Sequence, residues 1–281
     1  MVIHVLFHAK SIAPFRPCVD GLFAAWAAVQ AMPDARLVPA KYQEPPKLSL
    51  KRGDRVYLLD LTYPAPVLEN WANTADVTVL DHHKQALEDL RFLSDRILKT
   101  FDMYRSGAVI AWEHFHPGKE VPELFRYVQD RDLWTKQLPN CDLVSLGLSE
   151  VIQDLSLEQA LALLPSLAIG ELAQTGRHID IEIKQAIAYA VAHHSTRCVI
   201  GHVVPFFKCR TPRQKQAYSD IGHALVNANP KAPFAVVQTG NGWALRSEND
   251  RADVARIAKM IGGGGHRNAS GARSELPGWM V

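Results

Sequence analysis

The chain has 281 residues, of which 47% are apolar and 21% are charged, and its formal net charge is +2. These values are ordinary for a globular protein. They exclude a disordered chain and a strongly basic surface of the kind that binds long nucleic acids non-specifically. The length favours two domains over one. No apolar stretch approaches the roughly 18 uninterrupted residues that indicate a membrane span.

The cysteines and the N-terminus indicate the compartment. Cys18, Cys141, Cys198 and Cys209 form no Cys-x-x-Cys pair, so we expect free thiols in a reducing compartment rather than a zinc ribbon. The apolar residues 2–8 lack the basic segment and the cleavage site of a signal peptide. We therefore expect a cytoplasmic protein that does not contact a membrane.

The first half of the sequence alternates strand and helix patterns. Short apolar, β-branched runs predict strands, at residues 2–8, 35–41, 55–60 and 76–81. Longer segments predict helices, at residues 21–32, 64–73, 107–115 and 122–131. This alternation is typical of an α/β domain with a parallel sheet and helices on both faces.

The second half changes character. Residues 146–194 are predicted to be helical, and along 176–194 apolar residues recur every fourth position, as on one face of a long helix. The elements that follow are a strand at 197–208, a helix at 213–228, a hairpin at 233–247 and a short helix at 252–260. The expected organisation has three parts and a cleft between the outer two: an α/β catalytic domain at 1–145, a helical connector at 146–196 and a smaller α/β domain at 197–281.

Two of the predicted strands end in acidic residues. Asp60 ends one, and Asp81 ends the next and is followed by His82 and His83. In parallel α/β sheets, functional groups gather outside the carboxyl ends of the strands. Carboxylate oxygens together with imidazole nitrogens suit Mn²⁺, with Fe²⁺, Co²⁺ and Mg²⁺ as further options. We therefore expect a metal site here, although each aspartate alone would also fit a helix cap.

These pieces belong to a longer pattern. The first strand ends at His8, Asp20 opens the next helix, and Asp130 and Asp132 end a later one. The whole set resembles the motifs of the DHH phosphoesterase superfamily, in the family's order: His8 and Asp20, Asp60, Asp81-His82-His83, and Asp130 or Asp132. Residues 262–271, Gly-Gly-Gly-Gly-His-Arg-Asn-Ala-Ser-Gly, resemble the signature of the DHH-associated C-terminal domain. The resemblance covers most of the chain.

The resemblance implies roles for the matched residues. It implies two metal ions, most simply Mn²⁺, with Asp60 bridging them. The ligands of the first ion would be His8, Asp20 and Asp60, and those of the second Asp60, His82 and either Asp132 or Asp130. Asp81 would orient a neighbouring histidine, and His83 would face the substrate phosphate. Two cations and a metal-activated hydroxide need no nucleophilic side chain.

The sequence departs from the family pattern at two places. Leu22 stands where members often carry a second aspartate, which would cost a ligand of the second metal. The segment between His8 and Asp20 is longer than is common in the family, and its Pro-rich stretch 10–19 is expected to be a loop. His8 is a ligand only if this segment folds back.

The glycine run at 262–265 is a second candidate site. Successive backbone N–H groups form anion-binding nests, although such a run is more often a hinge or a tight turn. Polar residues follow at once, and Arg246 lies on the neighbouring predicted hairpin. We therefore expect substrate binding by Arg246, Gly263, Gly264, Gly265, His266 and Asn268.

Arg105 and Ser106 precede the helix predicted at 107–115. They are candidates for a phosphate contact, because a helix N-terminus attracts anions. A simple N-cap is the alternative.

The expected activity is a Mn²⁺-dependent phosphodiesterase that acts on short oligonucleotides or dinucleotides. No additional oligonucleotide-binding fold or basic tail offers a platform for long strands. A phosphatase of 3′-phosphoadenosine 5′-phosphate and a polyphosphatase stay open, because the same metals serve all three reactions. A non-catalytic nucleotide-binding protein also stays open, because of Leu22. The expected partner is a small phosphorylated substrate, and the oligomeric state is left open.

Overall fold

A computed structural model of the protein describes residues 1–84, 91, 93–240, 242–248 and 251–272. Its contacts divide the chain into two compact units, Met1–Arg177 and His178–Val281. The division falls inside one long helix. Within the described ranges, no helix is long and apolar enough to cross a membrane.

Unit 1 is built on a sheet of six strands. These are β1 (Ile3–Ser11), β2 (Arg16–Pro17), β3 (Arg36–Ala40), β4 (Arg55–Leu59), β5 (Asp76–Asp81) and β6 (Leu98–Phe101). β1 pairs in parallel with both β3 and β4, and β5 and β6 continue the parallel sheet beyond β4. The predicted parallel α/β architecture is confirmed.

Helices cover both faces of this sheet. They are α1 (Val19–Ala31), α2 (Ala65–Ala72), α3 (Gly107–Phe115), α4 (Glu123–Asp132), α5 (Cys141–Ile152), α6 (Leu157–Leu163), a 3₁₀ turn (Leu164–Ser166) and the start of α7 (Ile169–His193). Successive residues of β1 point to opposite faces. Phe7 packs in a core cluster with residues of α1, α3, α4 and α5, whereas Leu6 packs in a second cluster with residues of α2.

The segment between His8 and α1 is not the loop that we expected. β1 continues to Ser11, the chain turns, and β2 returns antiparallel to it, with Pro17 opposite Ala9. Backbone pairing brings the chain back beside the strand that it left. The extra residues therefore keep the start of α1 next to His8.

Unit 2 contains a second six-stranded sheet, in the order β11-β12-β10-β9-β8-β7. Its elements are β7 (Ser195–Val199), β8 (His202–Cys209), α8 (Pro212–Gln216), α9 (Tyr218–Ala228), β9 (Ala235–Thr239), β10 (Gly242–Arg246), α10 (Val254–Lys259), β11 (Gly264–His266) and β12 (Ala269–Ala272). Among the described strands of unit 2, only β8 and β9 pair in parallel. Ile183, Ile187 and Val191, on the apolar face of α7, pack on its core.

Two predicted elements of unit 2 are wrong in detail. The single strand at 197–208 is a hairpin, because Ile200 and Gly201 both take positive φ angles, 50° and 74°, and reverse the chain. A turn with two positive φ angles matches the twist of the strands that it joins. The helix at 213–228 is two helices, because Ala217, with φ −87° and ψ 11°, leaves the helical conformation between them.

Candidate metal centre

The candidate ligands lie where three neighbouring parallel strands end. His8 lies near the end of β1, Asp60 directly follows β4, and Asp81 is the last residue of β5. In the pairing register Phe7 lies opposite Leu59, and Leu59 opposite Leu80, so the residues that follow them, His8, Asp60 and Asp81, lie at the same level of the sheet. The sheet therefore delivers these side chains to one crevice, as expected for its topology.

Asp60 is at the centre of the cluster and is only 1% exposed. One carboxylate oxygen lies 3.5 Å from Nδ1 of His8, and the other lies 3.2 Å from Nε2 of His82. Its φ angle is 58°, a left-handed conformation that Asp and Asn adopt more readily than most residues. The Tyr42 hydroxyl donates a hydrogen bond to the Asp60 carbonyl oxygen at 2.9 Å, which holds this turn.

Asp20 joins the cluster through the start of helix α3. Its carboxylate accepts hydrogen bonds from the N–H groups of Gly107 at 2.7 Å and Ala108 at 3.0 Å. A β-carbon at position 107 would lie 2.6 Å from Cβ of Asp60 and 2.9 Å from Oδ2 of Asp20. Only glycine at position 107 lets the helix end approach both carboxylates this closely.

His82 brings a third carboxylate into the cluster. Its Nε2 lies 3.6 Å from Oδ2 of Asp20, 3.2 Å from Oδ1 of Asp60 and 3.6 Å from Oδ2 of Asp132. One imidazole nitrogen therefore touches three acidic side chains that are far apart in sequence. Asp132 is the last residue of α4, so the end of this helix closes the cluster.

Asp130 does not join the cluster. Its carboxylate accepts hydrogen bonds from the Thr135 hydroxyl at 2.6 Å and from the N–H groups of Gln137 at 2.8 Å and Leu138 at 2.9 Å. Burial opposes its ionisation, but these hydrogen bonds lower the pKa of Asp130 to about 2. Of the two aspartates left open by the sequence, Asp132 lies beside His82, and Asp130 holds the loop after α4.

The electrostatics of the cluster favour a bound cation. Burial, together with the negative charges of Asp60 and Asp132, raises the pKa of Asp20 well above its usual range. Burial alone would lower the pKa of His82, but its hydrogen bond to Asp60 and its acidic neighbours raise that pKa to about 9. The three carboxylates of Asp20, Asp60 and Asp132 thus meet at the imidazole of His82, and in the described part of the chain only Asp60 has further imidazoles, those of His8 and His83, within 4 Å. Divalent metal ions would neutralise the carboxylates, and the mixed oxygen and nitrogen donors fit Mn²⁺.

Asp81 and His83 form a pair at the edge of the cluster. One oxygen of the fully buried Asp81 accepts hydrogen bonds from the N–H groups of His82 at 2.7 Å and His83 at 3.2 Å, and it lies 2.8 Å from Nδ1 of His83. The other oxygen has no hydrogen-bond partner among the described residues. The His83 side chain is 42% exposed, so Asp81 orients an imidazole that is open to solvent.

Sequence reasoning missed two residues of this crevice. The Cys18 thiol donates a hydrogen bond to Oδ2 of Asp60 at 3.7 Å, and ligand atoms of His8, Cys18 and Asp60 lie within 4.8 Å of one another. The Tyr42 hydroxyl lies 3.1 Å from Nε2 of His83. Cys18 precedes the Asp20 motif by two residues, which was an available signal. No pattern pointed to Tyr42, which belongs to the turn after β3.

Leu22 is fully buried in the core cluster that also contains Phe23 and Phe125. The leucine at the position where family members often carry a second aspartate therefore contributes to core packing.

The expected phosphate contact before helix α3 is not available at Ser106. Ser106 is fully buried and caps the helix by accepting a hydrogen bond from the N–H of Val109, so the N-cap alternative is the right one for this residue. The next two N–H groups are already bonded to Asp20. Arg105 forms ion pairs with Asp102 and Glu113.

The glycine-rich segment belongs to a cavity of about 960 Å³ in unit 2, which is also lined by Arg246 and Trp243. Gly264, Gly265 and His266 form the edge strand β11. Arg246 is 6% exposed, and its guanidinium donates hydrogen bonds to Oγ of Ser219 and to the carbonyl oxygens of Leu245 and Ser270.

The polar residues of this segment differ in exposure. His266 is exposed, and Oδ1 of Asn268 is buried without a hydrogen-bond partner in the described part of the chain. A contact of this segment with substrate stays a prediction.

Comparisons with known proteins bear on the fold. No protein-family profile matches the chain. An uncharacterized protein, R106 of Acanthamoeba polyphaga mimivirus, is 31% identical over 234 residues, which is 78% of this chain and 53% of that protein. The chain thus spans about half the length of this relative.

Among solved structures, the chain is similar to the pGpG-specific phosphodiesterase PggH of Vibrio cholerae. The TM-score is 0.52 at 15% identity, over 98% of this chain and 94% of that one. It is also similar to exonuclease RecJ bound to manganese, with a TM-score of 0.49 at 14% identity, over 97% and 86% of the two chains. The chain has the fold of the DHH phosphoesterases. The resemblance predicted from its motifs is confirmed at the level of the fold, and the predicted α/β class is confirmed.

Proposed function

We propose that the protein is a metal-dependent phosphohydrolase whose metal ligands are His8, Asp20, Asp60, His82 and Asp132. The observation that carries the proposal is the meeting of these side chains around Asp60, at the carboxyl ends of β1, β4 and β5. Structural aspartates that cap helices do not need an imidazole beside each carboxylate oxygen, or two further carboxylates beside one of those imidazoles. A pair of divalent ions accounts for this arrangement.

The side chains of such a site have different roles. Bound metal ions supply charge neutralisation of a phosphate and a reactive hydroxide near neutral pH. Asp60 has a histidine on each of its oxygens, so it is placed to serve two ions. Asp81 fixes the orientation of His83, and His83 contacts a phosphate oxygen of the substrate from the solvent-exposed side. Cys18 is a further ligand candidate beside His8.

The proposed substrates are short oligonucleotides or dinucleotides, and the bond broken is a phosphodiester. Arg246 supplies a positive charge to the unit 2 cavity, and Trp243 supplies an aromatic wall. Together with His266, Asn268 and the backbone of Gly263, Gly264 and Gly265, they would contact a phosphate and a base. Mn²⁺ is the proposed metal, with Mg²⁺ and Co²⁺ as substitutes, and the proposed compartment is the cytoplasm.

The test is hydrolysis by the full chain in the presence of Mn²⁺. The panel contains a 5′-phosphorylated diribonucleotide, a longer oligoribonucleotide, 3′-phosphoadenosine 5′-phosphate, a cyclic dinucleotide and polyphosphate, and chromatography reports the products. We expect the dinucleotide to be consumed fastest. Preference for the adenosine bisphosphate or for polyphosphate would replace the substrate and keep the metal mechanism.

A paired control makes the result specific to the cluster. The Asp81→Ala, His82→Ala double variant should lose the activity and bind less Mn²⁺ by elemental analysis. Equal, low rates for both proteins with every divalent metal would contradict the enzyme proposal and favour a nucleotide-binding protein.

A further inference from the structure

Unit 2 contains a second groove, of about 680 Å³, at the end of strand β8. β7 begins opposite Phe206, so within the described sheet the last residues of β8, Phe207–Cys209, have no strand beside them on that side. The end of α7 and the start of α8 form the other walls. None of the residues assigned to the proposed hydrolytic reaction lies in this groove.

The groove concentrates positive charge. Arg197, Lys208 and Arg210 line it, and no aspartate or glutamate is among its described lining residues. In the described part of the chain, none of these three cations forms an ion pair. Some exposed arginines elsewhere do, such as Arg96 with Glu69 and Arg126 with Glu120. In a protein with a net charge of +2, an unpaired group of three is an uneven distribution that attracts anions.

Aromatic rings accompany the charges. Tyr189 is 52% exposed, and its ring stacks on His193 with centroids 4.2 Å apart and planes 18° apart. The Arg197 guanidinium lies 3.9 Å from the centre of the Phe206 ring, which holds this cation at the groove wall. Flat exposed rings next to unpaired cations are the combination that binds single-stranded nucleic acid, because bases stack while phosphates pair with the cations.

We infer that this groove is a second binding site, for the backbone and bases of single-stranded nucleic acid. It would hold nucleotides other than those at the hydrolytic centre. The inference goes beyond the proposed function, because it concerns binding without chemistry. It also modifies the expectation that the chain offers no platform for a longer strand.

The experiment measures binding by fluorescence anisotropy, with a labelled oligoribonucleotide of 12 nucleotides and the full chain in EDTA, where metal-dependent hydrolysis cannot occur. The variant is Arg197→Gln, Lys208→Gln, Arg210→Gln. We expect its affinity to fall about tenfold or more at moderate salt. The slope of log affinity against log salt should become shallower by about 2, since each phosphate contact on a single strand contributes about 0.7. A Tyr189→Ala variant should lose about tenfold through stacking.

The matched control removes the same charge at scattered exposed positions, with Lys119→Gln, Lys231→Gln and Lys259→Gln. Equal affinity and slope for the two triple variants would overturn the inference. The inference would also be overturned if polyphosphate competed as effectively as unlabelled oligonucleotide. The groove would then bind any polyanion through charge, without a contribution from the bases. Dinucleotide hydrolysis with Mn²⁺ should be unchanged in the groove variant. Because binding is measured without metal, failure of the proposed activity would leave this test intact.

Discussion

The metal centre of unit 1 and the Arg246 cavity of unit 2 bury charge in opposite ways. In unit 1, Asp20, Asp60 and Asp132 converge on the single imidazole of His82, so negative charge is in excess. In unit 2, the Arg246 guanidinium is buried among oxygen acceptors from Ser219, Leu245 and Ser270. The first arrangement is incomplete without a cation from solution, whereas in the second neutral oxygens of the chain accept three hydrogen bonds from the guanidinium. Metal should therefore act on unit 1 as a structural as well as a chemical component.

The role of negative charge in the metal centre of unit 1 is tested most strongly at Asp60. We expect Asp60→Asn to reduce kcat/KM for the best substrate by roughly 1000-fold, equivalent to about 4 kcal/mol, because the central carboxylate of the proposed metal site loses its charge. Asparagine tolerates the left-handed backbone at position 60, so the fold should persist. Steady-state kinetics with Mn²⁺ provide the measurement.

Asp76→Asn is the matched control for this prediction. Asp76 is exposed and begins β5, at the opposite end of the strand from Asp81. Its activity should stay within twofold of the parent. Similar activity of the Asp60 and Asp76 variants would remove Asp60 from the mechanism.

Asp130 and Asp132 separate the structural role from the metal role. Saturating Mn²⁺, at about 100 times its Kd, should stabilise the parent by about 2.7 kcal/mol. Asp132→Asn should lose most of this increment and be no less stable than the parent in EDTA, because it relieves repulsion with Asp60. Asp130→Asn should be destabilised by about 1.5–3 kcal/mol with or without metal, since its charged hydrogen bonds are lost.

Chemical denaturation with and without Mn²⁺ measures both variants. The opposite pattern, with metal-linked stability lost only at position 130, would exchange the two roles.

Two neighbouring glycines test how closely the glycine run of unit 2 is packed. A β-carbon at Gly263 would lie 2.2 Å from the Gly271 carbonyl oxygen, whereas one at Gly264 would meet no atom within 4 Å. We expect Gly263→Ala to destabilise the protein by about 1–3 kcal/mol and Gly264→Ala to change stability by less than about 0.5 kcal/mol. Thermal unfolding compares them. Equal stabilities would contradict the close packing of β12 against the glycine run.

The smallest expected effect concerns Cys18. If its sulfur binds the metal beside His8, Co²⁺-loaded protein should show a thiolate-to-cobalt charge-transfer absorption in the near ultraviolet. This band should disappear in Cys18→Ser and persist in Cys198→Ser, which alters an exposed cysteine. Elemental analysis checks that cobalt is still bound. An unchanged band in Cys18→Ser would exclude the thiolate as a ligand.

Sequence patterns predicted the strands and helices whose residues follow a local periodicity. The strands that end at Leu59 and Asp81 were identified because buried parallel strands are continuous apolar runs. The turn at Ile200 and Gly201 was missed because isoleucine rarely takes a positive φ angle, so the run of apolar residues looked like one strand.

Tertiary contacts explain the remaining differences at the site. Asp130 and Asp132 lie in the same Asp-Arg-Asp segment, and only the fold distinguishes them, through the loop that Asp130 holds and the imidazole beside Asp132. Ser106 was recognised as a possible cap. Its burial, and the use of the next two N–H groups by Asp20, depend on residues far away in sequence.

The hydrogen bonds from Gly107 and Ala108 to Asp20 have a consequence for the order of folding. The first pair spans 87 residues, so the Asp20 carboxylate reaches its final position only after the chain beyond residue 108 has emerged from the ribosome. Asp132, at the end of α4, arrives later still. Metal loading would therefore be a late event in biosynthesis and would report a completed unit 1 rather than its first strands.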